Sequence, residues 1–132
     1  MFTNTINSSR QGDIGEARAI YEYTKMGFVV SRTLFDSSKY DLIIDDECGS
    51  LKRVQVKTTD FKKNSKSWLV SICTSGGNKS CNIKRLRQDD DYDILFVLNG
   101  EGRCWSIPMS EISSGHSITV GNKKYNEYEL IN

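Results

Sequence analysis

Tyr40-Asp41-Leu42-Ile43-Ile44-Asp45-Asp46, Glu47-Cys48-Gly49-Ser50 and Leu51-Lys52-Arg53-Val54-Gln55-Val56-Lys57 form one continuous stretch of the chain. Two runs rich in Val, Ile and Leu flank a polar turn containing Gly, a pattern that predicts a β-hairpin. Side chains alternate between the faces of a strand, so Gln55 and Lys57 share one face while Val54 and Val56 point the other way. A three-residue turn, Glu47 to Gly49, sets Asp46 opposite Ser50 and Asp41 opposite Gln55. An acid, an amide and an ammonium then converge at one end of the hairpin, which makes that end a candidate metal and phosphate site.

The surrounding chain is compatible with such a site. At 132 residues it has the size of one ordinary domain, read here as residues 1–132 with a polar, frayed segment at 1–9. Hydrophobic residues make up 37% and charged residues 27%, with a single Pro, which is a globular rather than a disordered composition. Eighteen basic residues balance seventeen acidic ones, so affinity for nucleic acid has to come from where Lys and Arg lie and not from net charge. No apolar run approaches the roughly 20 residues of a membrane span, and the N-terminus lacks a basic-then-apolar signal pattern. The expectation is a cytoplasmic protein with no membrane association. Cys48, Cys73, Cys81 and Cys104 show no C-x-x-C spacing and His116 is the sole imidazole, which argues for reduced, partly buried thiols over a structural zinc site.

Upstream of the hairpin, Ile14, Ala17, Ile20, Tyr21 and Thr24 recur at helical spacing, and Gly27 stands where a helix stops, predicting a helix from about Gln11 to Met26. Gly12 and Gly15 weaken its first turns by about 1 kcal/mol each. Small residues there also allow close approach to the backbone. Glu16 borders the apolar stripe. Phe28–Arg32 reads as a strand. Downstream, Trp68–Cys73 is a fourth strand, 74–80 a loop, and Asn82–Arg87 one or two helical turns. Tyr92–Leu98 is the most apolar stretch, as a strand covered on both faces should be. Asn99-Gly100-Glu101-Gly102 turns the chain into a partner strand, Arg103–Ile107, after which Pro108 opens a short helix through Ile112. The tail predicts a last hairpin, Ser117–Val120 with Lys124–Leu130, around Gly121-Asn122. Trp68 and Trp105 read as core, His116 as incidental.

Glu16 on a helix, Asp41 at a strand start and Gln55-Val56-Lys57 on the facing strand resemble the PD-(D/E)XK nuclease superfamily. The resemblance runs from Gly12 to Lys57 and more loosely through the later apolar strand and Ile107-Pro108. It is greatest to the small homing endonucleases encoded in group I introns, which share Gly-Asp-x-Gly-Glu on the first helix (Gly12 to Glu16), Tyr-Asp-Leu at the hairpin (Tyr40 to Leu42), and Gln in place of the second acid. Archaeal Holliday-junction resolvases are similar but usually carry Glu where this chain has Gln55. The resemblance implies an α/β, restriction-endonuclease-like core with a central mixed sheet flanked by helices, and Mg²⁺-dependent cleavage of double-stranded DNA, with Mn²⁺ as a substitute ion. Asp41 and Gln55 would ligate the ion, Glu16 directly or through water, and Lys57 would act on the developing phosphorane charge. The backbone carbonyl of Val56 is a further ligand that the resemblance implies.

Plainer readings stand beside these. An Asp, Gln and Lys on a hairpin are often a solvated face, and Glu16 alone is an ordinary helix residue. Lys39 and the clusters Lys62, Lys63, Lys66 and Lys84, Arg85, Arg87 are either solvated loops or arms on the DNA backbone. A long DNA site exceeds the reach of one such chain, so the expectation is a homodimer or homotetramer on a pseudo-palindromic target. The rivals to a homing-type endonuclease are a Holliday-junction resolvase and a catalytically silent DNA-binding module of the same fold.

Overall fold

The computed structural model describes residues 2, 7–36, 39–75, 84–85, 88 and 90–131, with only the backbone at 74, 75, 84 and 85. A helix, α1 (Ser8–Lys25), precedes three strands, β1 (Val29–Arg32), β2 (Leu42–Asp45) and β3 (Leu51–Thr59). Then follow β4 (Lys62–Asn64), β5 (Ser67–Ser71), β6 (Thr74–Ser75), β7 (Lys84–Arg85), β8 (Ile94–Asn99), β9 (Cys104–Pro108), β10 (Ser117–Val120) and β11 (Glu129–Leu130). Six of them form a mixed sheet in the order β1-β2-β3-β8-β9-β11, in which β3 and β8 run parallel. This is the α/β architecture expected.

The helix covers one face of that sheet and a three-stranded antiparallel sheet, β10-β5-β4, covers the other. The second layer is therefore a sheet where flanking helices were expected. Strand β8 is buried from Leu95 to Asn99: Phe96 and Leu98 pack with the helix-side core, while Leu95 and Val97 pack with Trp68, Val70, Trp105, Ile107 and Ile118 on the other side. Both tryptophans are core residues, as their sequence context suggested. No helix among the described residues is long and apolar enough to cross a membrane.

Several local expectations are corrected. Helix α1 begins at Ser8, capped by Asn7 Oδ1, which accepts the Arg10 N–H at 2.9 Å, so residues 7–9 are ordered rather than frayed. Phe2 packs against the helix-side core, and the rest of 1–6 lies outside the described residues. The buried face of α1 is Gly15, Ala19, Glu22 and Tyr23; of the expected stripe Ile14 and Ile20 pack against the core, whereas Ala17, Tyr21 and Thr24 are exposed. Glu22 is buried because Arg18 and Lys25 hold its carboxylate at 3.2 and 2.8 Å. Lys84–Arg85 pair as a strand with Thr74–Ser75 instead of forming a helix, and the rest of 82–87 lies outside the described residues. The tail does not fold on itself. Strand β10 joins β5 while β11 joins β9, because Ile118 and Val120 bury against Trp68 and Val70, across the core from the main sheet's edge.

Gly15 sets how closely α1 approaches β3. A Cβ there would overlap Thr58 Cγ2 and stand 3.3 Å from Val56 Cγ1. Thr58 is not free to rotate away at no cost, since its Oγ1 accepts a hydrogen bond from Gln11 Nε2 at 3.1 Å. Gly12 has open space around it. Gly12→Ala should therefore stabilise by up to about 1 kcal/mol through helix propensity. Gly15→Ala should instead destabilise by about 1–2 kcal/mol through overpacking. Urea denaturation of the two variants checks this difference in sign.

Candidate active site

The hairpin register is the one its alternation required. Leu42 pairs with Val54, Ile43 with Arg53, Ile44 with Lys52 and Asp45 with Leu51, and Asp46 N donates to Ser50 O at 3.2 Å. Continued by one residue, the register sets Asp41 against Gln55. The turn closes on Asp46, whose carboxylate accepts N–H groups from Cys48 and Ser50, with Gly49 at φ 104°.

Strand β2 stops at Leu42 while β3 continues to Thr59, so beyond Val54 one edge of β3 has no backbone partner from β2. Asp41 fills the start of that gap: its N–H donates to Val54 O at 2.9 Å and its Oδ2 accepts the Val56 N–H at 2.8 Å. In a strand the N–H and C=O of one residue point to the same side, so the Val56 carbonyl also faces the open edge. Gln55 and Lys57 project from one face of β3, and α1 brings Glu16 over the other. These groups, with Gly12, Asp13 and Thr58, line a cleft of about 340 Å³. The residues assemble around a strand edge and not on one sheet face.

Burial shapes their charges. Asp41 has its proton affinity raised, chiefly because it is withdrawn from water, although the Val56 N–H, Lys57 and Arg32 favour its ionised form. Glu16 is raised as well, first by burial and then by the nearby Asp41 and Asp13, against the pull of Arg32. The Lys57 ammonium is lowered by burial, with Asp41 and Cys73 opposing, and its Nζ donates to Cys73 O at 3.4 Å. Gln55 is 7% exposed, and its buried Oε1 has no hydrogen-bond partner among the described residues.

That orphaned oxygen is the observation that tests a metal site. An amide oxygen withdrawn from water costs about 1–3 kcal/mol unless something bonds it. A hard divalent ion held by Asp41, Gln55 Oε1 and the Val56 carbonyl, with Glu16 nearby, meets that need with oxygen donors alone. The donor set fits. Among the described residues no three His, Cys, Asp or Glu side chains gather into a metal cluster, since an amide replaces one acid here.

A sequence model of the PD-(D/E)XK endonuclease family matches residues 6–128. The chain belongs to this family. Among solved structures it is similar to a bacterial homing endonuclease, I-Ssp6803I, with a TM-score of 0.77 and 25% identity over 94% of this chain and 89% of that one. Among curated proteins it is similar to Protein 5.3 of Escherichia phage T7, 27% identical over 112 residues, which is 85% of this chain and 89% of that protein. The protein is accordingly a nuclease of the PD-(D/E)XK class, acting on DNA, in a family that generally uses divalent metal ions.

Not every residue singled out from sequence reaches the cleft. Lys62 lies on β4, 3.7 Å from Glu101 and over the Trp68 ring. Lys63 lines a separate cleft of about 200 Å³ with Ser114, Ser117, Thr119 and Lys124. Lys39 and Lys66 are exposed, and neither lines the cleft of Asp41. Arg87 and the side chains of Lys84 and Arg85 lie outside the described residues. Conversely, Arg32 pairs with Glu16 at 2.7 Å, a contact no local pattern signalled because it joins an edge strand to the helix across the sheet.

These environments predict a site that destabilises the metal-free protein. A carboxyl whose folded pKa is raised binds more protons folded than unfolded, so its charge lowers stability as the pH rises above the ordinary value and through the raised one. In EDTA at pH 7, Asp41→Asn should therefore be more stable than wild type, an advantage that fades as the pH approaches the ordinary Asp value of 3.8. Gln55→Met, which removes the orphaned oxygen, should also stabilise by about 1–3 kcal/mol. Thermal melts of both variants with and without Mg²⁺ check these signs, since the ion should stabilise wild type alone.

Proposed function

We propose that the protein is a Mg²⁺-dependent endonuclease that cleaves duplex DNA at specific sites in the manner of a homing enzyme, with Mn²⁺ able to replace Mg²⁺. The observation that carries this reading is the unbonded Gln55 Oε1, buried beside Asp41 and the open edge of Val56. When bound, the ion would stabilise charge on the phosphoryl oxygens and make its water more acidic. Asp41, Gln55 and the Val56 carbonyl would hold it, and Glu16 would complete its shell directly or through a water molecule.

The chain's other groups have distinct work. Lys57 sits in the same cleft with its ammonium partly desolvated and Asp41 close enough to act on its charge. From there it would stabilise the extra negative charge of the transition state and orient the attacking water. Burial of the cleft strengthens both effects by lowering the local dielectric. Lys39 and the lysines of β4 and its turn, Lys62, Lys63 and Lys66, would hold phosphates without reading bases, as would Lys84, Arg85 and Arg87. Two or four copies of the chain would span the target.

Support for the homing type comes from Gln55 at the second ligand position and from the similarity to I-Ssp6803I, itself a homing endonuclease. Incubation with a randomised duplex library and Mg²⁺ should give cleavage at a symmetric site, and linear duplex should be cut in preference to a four-way junction. Asp41→Ala should abolish cleavage, and Lys57→Ala should reduce it by on the order of 10²–10³-fold. Gln55→Glu should keep measurable cleavage where Gln55→Ala loses it. Binding without cleavage under every divalent ion would leave a silent DNA-binding module, and preference for the junction would leave a resolvase.

A further inference from the structure

Arg32 reaches Glu16 from outside the cleft of Asp41, in an adjoining hollow lined by Asp13, Glu16, Ala17, Ile20 and Arg32. Its Nε lies 2.7 Å from Glu16 Oε1, and its charge also favours ionised Asp41. Both acids of the proposed metal site thus lie in the field of one guanidinium. Yet the Arg32 side chain is 69% exposed, at the last position of β1, the edge strand of the main sheet. A solvated ion pair of this kind contributes little to folding, so its partner can change at small cost.

We propose that Arg32 is a positioning residue that exchanges partners: it holds Glu16 until a divalent ion binds, releases the acid to that ion, and then pairs with a phosphate of the bound DNA. The proposal rests on the metal-site reading of the cleft. A divalent ion beside Asp41 would stand in the field of Arg32, and two cations sharing Glu16 repel each other. The guanidinium is the one with freedom to leave, since β1 carries it at the sheet edge with most of its surface in water. Once displaced, its planar fork of donors matches a phosphate group. Linkage then makes the two events reciprocal, because metal frees Arg32 for DNA and DNA frees Glu16 for metal.

A purely structural role for Arg32 predicts the opposite sign. If the pair only held Glu16 in place, its removal would weaken metal binding, whereas removal of a competitor strengthens it. Titration calorimetry of Mn²⁺ into DNA-free protein separates the two. Arg32→Gln should bind Mn²⁺ about fivefold more tightly than wild type. Arg32→Lys, which keeps the charge, should stay near wild type, as should Lys52→Gln, which removes an exposed charge elsewhere on the hairpin. With Ca²⁺ in place of Mg²⁺, the slope of log DNA affinity against log salt should be smaller by about one for Arg32→Gln. In EDTA the slopes of the two proteins should coincide, because Arg32 is then held by Glu16. Unchanged or weaker Mn²⁺ binding by Arg32→Gln overturns the exchange alone, whereas the absence of Mn²⁺ binding by every protein, wild type included, overturns the metal-site reading beneath it.

Discussion

The Asp41 carboxylate takes the Val56 N–H at the point where β2 parts from β3, and the arrangement of the cleft follows from that hydrogen bond. Had β2 continued alongside β3, the Val56 N–H and C=O would both have been consumed by the sheet ladder. Because it stops, a side chain satisfies the donor and leaves the acceptor facing the cleft. The parallel pairing of β3 with β8 holds the opposite edge of β3 rigidly against the most deeply buried strand of the protein. An open edge is thereby fixed in position by a closed one.

The helix completes the site through an absence. Gly15 lets α1 settle onto Val56 and Thr58, which brings the next residue, Glu16, to the same open edge. Without a bound ion this concentration of groups is unfavourable for the fold, since burial acts against the charged forms of Glu16, Asp41 and Lys57. Compensation comes from outside the cleft: two hydrophobic clusters on the two faces of the sheet, and ion pairs such as Arg103, just before β9, with Glu129 of β11 at 2.8 Å.

Much of this was legible in the chain because the informative signals were local. Alternation through Leu42–Asp45 and Leu51–Lys57, with Gly49 between them, determines the register to the residue, and a slip of one position would have turned Gln55 and Lys57 to the other face. The apolar run at Tyr92–Leu98 announced a strand covered on both sides. What escaped was non-local. The inward face of α1 centres on a glycine and a buried glutamate, so hydrophobic periodicity found its flanking Ile14 and Ile20 but missed its centre. The destinations of β10 and β11 depend on packing against Trp68 and on pairing with β9, neither of which leaves a mark in the tail itself. Arg32 reads as one more surface cation until the helix is laid over the sheet, and the second covering sheet emerges only because β3 and β4 let the chain fold back as β5, with Leu69 N donating to Phe61 O at 2.9 Å.

The central claim is that the open edge of β3 is a metal site built by Asp41, Gln55 and Val56. The most direct measurement is the anomalous difference map of crystals grown with Mn²⁺. The account predicts a peak within coordination distance of the Asp41 carboxylate, Gln55 Oε1 and the Val56 carbonyl oxygen. A cleft that stays without an ion at saturating Mn²⁺, or an ion bound elsewhere while Gln55 Oε1 remains unbonded, would contradict it.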